Sequence, residues 1–113
     1  MALQLKWVKC SDHWCSFQNV NLASVATEGV YVIWEDGGDN RAVRVGQGDI
    51  AKRLAQHRLD PAITQYGQLR VTWAAVAAQY RDGVERYLAE NYSPLVGDRF
   101  PAAQPIAVNL LGQ

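Results

Sequence analysis

Residues 29–45 constrain the fold most. Gly29-Val30-Tyr31-Val32-Ile33-Trp34-Glu35 is a β-branched and aromatic run, the composition that suits a strand. Asp36-Gly37-Gly38-Asp39-Asn40 follows with turn chemistry. Arg41-Ala42-Val43-Arg44-Val45 is a second strand, ended by Gly46-Gln47-Gly48. Two strands joined by a five-residue Gly/Asp/Asn loop predict an antiparallel hairpin. Such a hairpin argues against a purely parallel, doubly wound sheet.

The next segments alternate helix and strand. Asp49 is placed to cap a helix over 50–58, whose Ile50, Ala51, Leu54 and Ala55 make an apolar stripe. Asp60-Pro61 stops it. After a loop containing Gly67, Leu69, Val71 and Trp73 alternate with Arg70 and Thr72 and predict a third strand. A second helix is expected from about Val76 to Asn91, with Val76, Tyr80, Val84, Tyr87 and Leu88 buried and Ser93-Pro94 at its end. Gly83 inside it costs about 1 kcal/mol against Ala and often marks close packing. The result is an α+β domain, a small three-stranded antiparallel or mixed sheet flanked by helices.

The expected core spans about 29–97, between an N-terminal extension, 1–28, and an extended tail, 98–113, that lies against the domain. In the extension, Leu3, Leu5 and Trp7 alternate as in a short strand, and residues 10–28 have no clear period and are expected to run over the surface. Length and composition fit one globular domain: 113 residues, 49% hydrophobic and 19% charged. No apolar run is long enough for a membrane span. The N-terminus lacks the apolar stretch of a signal peptide, so a cytoplasmic location is expected. A net charge of zero argues against tight non-specific binding of nucleic acid, while leaving room for a local basic groove.

Cys10, His13 and Cys15 form a Cys-x-x-His-x-Cys run. A structural zinc site normally needs a second pair of ligands, and the only other histidine is His57. The spacing gives no strong disulfide signal, so two reduced thiols are expected. The four tryptophans, Trp7, Trp14, Trp34 and Trp73, are many for this length. They are expected mostly in the core, with one or two available to stack on bases.

Five features stand in order along the chain. They are Gly29-Val30-Tyr31, then Arg44-Val45-Gly46, then the stretch from Gly46 through Arg53 to His57, then Gly83-Val84-Glu85-Arg86-Tyr87-Leu88, then Ser93-Pro94-Leu95. This set, over about residues 29 to 97, resembles the GIY-YIG nuclease superfamily. The resemblance implies a three-stranded antiparallel sheet flanked by helices. It also implies a metal-dependent endonuclease that hydrolyses DNA phosphodiester bonds with Mg²⁺ or Mn²⁺.

The same resemblance gives each residue a role. Glu85 is the metal ligand, a carboxylate suited to Mg²⁺. Arg53 clamps the scissile phosphate with its planar, permanently charged fork. His57, one turn later, accepts a proton or contacts a phosphate. Tyr31 positions or deprotonates the attacking water; a phenol of pKa about 10 needs neighbouring charge to do the latter. Arg44 and Lys52 are candidate phosphate contacts.

The pattern breaks at two places: Arg44 replaces the second tyrosine, and Gly97 stands where an asparagine is usual. Asn109 in the tail is a candidate replacement. These departures keep a second reading open, a catalytically inactive domain that binds nucleic acid or a partner protein.

Overall fold

The predicted hairpin forms one side of the sheet, with its second strand at the edge. The structure, a computed structural model, describes residues 3–37, 41–97 and 100–111; Gly38, Asp39 and Asn40 of the expected hairpin loop lie outside the described residues. Strand β2 (Glu28–Glu35) pairs antiparallel with β3 (Ala42–Asp49) on one side and with β4 (Leu69–Ala75) on the other. A two-residue strand β1 (Cys15–Ser16) pairs with β4. Four strands therefore run in the order β1-β4-β2-β3, all antiparallel, where the sequence predicts three.

β3 is longer than expected. Gly46-Gln47-Gly48 continues the ladder to Asp49, opposite Glu28, because glycine keeps both backbone hydrogen-bonding groups. Near the other end, Ile33 pairs with Arg44 but Trp34 pairs with Ala42. Val43 is thus an extra residue, a β-bulge. The bulge leaves Arg44 opposite Ile33, on the sheet face that also carries Tyr31.

Helix α1 (Ile50–His57) follows β3 directly, and the Asp49 carboxylate accepts from Lys52 N at 3.3 Å as predicted. Ile50 and Leu54 bury its apolar stripe. The expected loop after Asp60 contains a short helix α2 (Pro61–Thr64), begun by Pro61 and capped by Asp60. Helix α3 (Ala78–Tyr92) buries Val84 and Leu88, as the periodicity predicts. Tyr80, expected on that face, is 42% exposed; Glu85 is buried instead. Two cores result. Tyr31, Ile33, Ile50 and Leu54 lie in the core on one face of the sheet. Val30, Val32, Val84 and Leu88 lie in the other.

The N-terminal extension departs most from expectation. Cys15 and Phe17 are fully buried rather than at the surface. Cys10 and Cys15 are joined in a disulfide, not present as free thiols, so neither sulfur is available to zinc. A tight turn explains this: Cys10 and His13 bridge to each other, with Ser11 at φ 62°, and the two cysteine Cα atoms come within 5.0 Å. Leu3, Leu5 and Trp7 form no regular strand. Leu3 makes one parallel bridge to Val108, and the Asn109 side chain takes both backbone groups of Leu5, accepting at 2.6 Å and donating at 3.0 Å. The tail does lie against the domain. Ile106 packs over Gly83, where a Cβ would collide with it, and donates to the Gly83 carbonyl at 2.9 Å. No helix among the described residues is long and apolar enough to cross a membrane.

Candidate active site

The candidate residues meet around β3, the edge strand. Tyr31 stands opposite Gly46 in the ladder. Its ring lies across that glycine, where a Cβ would collide with Oη, Cζ and Cε1. A bare backbone at Gly46 therefore lets the phenol cross β3 toward α1. There Tyr31 Oη lies 2.6 Å from His57 Nε2, in the last turn of α1. The rings are 5.5 Å apart and tilted by 54°. Two strand positions on, Arg53 from α1 passes over Gly48.

Charge links these groups to Arg44 and Glu85. Burial raises the Tyr31 phenol above its usual value, and the nearby Arg44 and Arg53 guanidinium groups oppose that while Glu85 adds to it. His57 is pushed down to about 4, by burial first and then by Arg44, with Arg53 contributing less. The imidazole is therefore neutral at pH 7, able to accept a hydrogen bond from the phenol. Glu85 is raised by burial, opposed by its bond from Gln47 and by Arg44 and Arg53. Tyr31, Arg44, Arg53, His57 and Glu85 thus share one electrostatic neighbourhood.

Glu85 reaches this neighbourhood from α3, on the far side of the sheet, where Gln47, not singled out in the sequence, bonds both it and its neighbour Asp82. Gln47 Nε2 donates to Glu85 Oε1 at 2.9 Å and to Asp82 Oδ1 at 2.7 Å. Strand alternation explains Gln47: between Gly46 and Gly48, it points to the opposite face, toward α3. Asp82 was legible in principle, because it precedes Glu85 by three residues and so shares its helix face.

Two carboxylate oxygens converging on one amide nitrogen suit a cation that takes one or two protein carboxylates and keeps several waters, as Mg²⁺ does. Among the described residues no group of three or more His, Cys, Asp or Glu is placed to hold a metal. Glu85 and Asp82 are thus the two carboxylates that could hold such an ion here.

Lys52 stands slightly apart. It is exposed and lines, with Gly48, Asp49, Arg53 and Gln56, a groove of about 300 Å³. Asn109 does not reach the site, since its side chain is engaged with Leu5. Gly97 does border it: the Arg44 guanidinium occupies the space where a side chain at 97 would stand. Arg44 Nε is buried there with no hydrogen-bond partner. Compared with protein-family models, curated proteins and solved structures, the chain gives no match.

Proposed function

We propose that this domain is a divalent-metal-dependent phosphodiesterase acting on DNA, with its centre at Tyr31, His57, Arg53, Arg44 and Glu85. The observation that carries the reading is the 2.6 Å contact between Tyr31 Oη and His57 Nε2, set beside two guanidinium groups and one buried carboxylate. In the reaction, water attacks phosphorus, the P–O ester bond breaks, and the leaving oxygen takes a proton. The products are a phosphomonoester and an alcohol.

Each chain residue has a task. The Tyr31 phenol, raised by burial, stays protonated at neutral pH and donates to His57. Its lone pairs accept from the attacking water, whose proton passes to Tyr31 as the phenol proton moves to His57 Nε2. Arg44 and Arg53 hold the anionic phosphate, and Arg44 Nε, buried without a partner, is a donor ready for it. A phosphate bound there offsets the two charges that depress His57, so substrate itself makes the imidazole a better base. Glu85, steadied by Gln47 and accompanied by Asp82, would hold the cation, which would supply Lewis-acid polarisation of the phosphate and stabilisation of the developing oxyanion. Lys52 extends the positive surface along the groove.

The test is nicking of supercoiled DNA by the purified chain with Mg²⁺ or Mn²⁺. Cleavage that disappears in Glu85→Gln and in Arg53→Ala supports the proposal; cleavage that persists in Glu85→Gln overturns it. Arg44, in place of the expected tyrosine hydroxyl, favours a second reading, a nucleic-acid-binding module. Binding without nicking, lost in Arg44→Gln, distinguishes it.

A further inference from the structure

The four tryptophans have unequal fates. Trp73 is buried in the core, and Trp7 donates to the Asn109 carbonyl at 3.0 Å. Trp34, itself buried in the second core, and the half-buried Trp14 line a cavity of about 310 Å³, together with Tyr92, Asp36, Val32 and Leu111. Trp34 and Val32 belong to the sheet face opposite Tyr31 and Ile33. None of Tyr31, Arg44, Arg53, His57 and Glu85 lines the cavity, which is therefore separate from the candidate active site.

Its walls are aromatic, with one carboxylate. The Trp14 and Trp34 rings are 5.5 Å apart and nearly perpendicular, at 86°, so they form a corner rather than a slot for a flat ring. Tyr92 adds a third ring, fixed because its Oη accepts from Leu111 N at 2.8 Å. Asp36 supplies a carboxylate. Arg70 donates to Asp36 Oδ2 at 2.9 Å and to the Trp14 carbonyl at 3.3 Å, tying two walls together. Next to Trp14, Cys15 is fully buried and disulfide-bonded, which anchors the segment. The Lys9 ammonium lies 4.6 Å from the centroid of the Trp14 ring and covers one of its faces, without lining the cavity.

We propose that this cavity binds a methylated ammonium group. Aromatic faces attract cations through the ring quadrupole, and rings around a carboxylate suit quaternary ammonium ligands. A bare ammonium is strongly hydrated and needs several acceptors to leave water. A methylated one carries its charge under an apolar shell that packs on Trp14, Trp34 and Val32. The volume, about 310 Å³, is at the small end of ligand pockets, which fits a compact head group.

The experiment is a titration of the whole chain, followed by tryptophan fluorescence and calorimetry. Tetramethylammonium tests the shared chemistry. Choline and Nε-trimethyl-lysine distinguish a free quaternary amine from a modified lysine side chain. Neutral 3,3-dimethyl-1-butanol, which has the shape of choline without its charge, is the control, with ionic strength matched by NaCl. Saturable binding of tetramethylammonium, weakened about tenfold in Trp14→Leu and in Asp36→Asn, supports the proposal. Far-UV circular dichroism checks that both variants fold, and Tyr92→Leu provides a third wall if one does not. Equal binding of the neutral alcohol, or no saturable binding of any of the three cations, overturns it.

Discussion

The guanidinium of Arg44 lies against Gly97, in the space that a side chain at 97 would fill. Gly97 has φ +97°, a conformation that other residues rarely adopt. Residues 44 and 97 are therefore sterically coupled: the long Arg44 side chain occupies the room that a side chain at 97 would need. Gly97→Ala is expected to push Arg44 aside and to destabilise the fold by about 1–3 kcal/mol. In an Arg44→Gln background the steric part of that loss disappears and only the backbone strain remains. Denaturant unfolding of the four proteins in this cycle checks it; strictly additive losses would show that the two residues do not interact.

Cys10 and Cys15 close a short loop, and Cys15 pairs with Val71 in the β1–β4 ladder. Opening the disulfide frees that loop in the unfolded chain and loosens the edge that β1 covers. For so short a loop the loss is about 2 kcal/mol. Thermal melts with and without reductant should differ accordingly, and Cys10→Ser/Cys15→Ser should match the reduced protein. Alkylation of both thiols in native, unreduced protein would contradict the bond. Such a bond is usual in oxidising compartments and rare in the cytosol.

The hairpin, both longer helices and the third strand were legible because each is a long local pattern. The run at 30–35, the stripe at Ile50 and Leu54 and the pair Val84 and Leu88 declare their period without reference to anything distant. What escaped was long-range. Two residues of β1 cannot display a period, and their place beside β4 is fixed by Cys15 meeting Val71 across the chain. Leu5 is held by Asn109, 104 residues away. The site divides in the same way. The side chains of Tyr31, Arg53, His57 and Glu85 carry recognisable chemistry. Gln47 gains its place only because α3 packs where β3 turns that side chain, and no spacing rule announces that.

Glu85 is buried at 7% exposure, and that burial raises its pKa from the ordinary value near 4.5. A carboxyl raised in the folded state binds its proton more tightly there than in the unfolded chain. Its contribution to stability is present below the unfolded value and lost as pH rises through the folded one. At neutral pH the charged form therefore weakens the fold relative to a neutral isostere. Glu85→Gln keeps an oxygen to accept from Gln47 and removes the charge. Its unfolding midpoint should exceed that of the parent at pH 7 and approach it at pH 4, while the proposed nicking is lost. An equal or lower midpoint at pH 7 would mean that Gln47, Arg44 and Arg53 more than offset the burial.

His57 offers a direct reading of the site's charges. Its pKa is about 4, against 6.5 for a free histidine. The folded state thus takes up its proton later than the unfolded chain as pH falls. Stability from this group is full above pH 6.5 and declines as pH drops toward 4. Glu85 acts in the opposite sense from pH 4.5 upward, so the whole-protein curve mixes the two. The His57 ring resonances, assigned with a His57→Gln variant, separate them by NMR titration. Arg44 depresses this pKa more than Arg53 does, and Asp60 raises it. Arg44→Gln should therefore lift the midpoint further than Arg53→Gln, and Asp60→Asn should lower it. Inorganic phosphate bound between the two arginines should also lift it, in the parent and not in the Arg44→Gln/Arg53→Gln double variant. A midpoint near 6.5 in the parent, unmoved by any of these changes, would place His57 in open solvent and remove the base from the proposed chemistry.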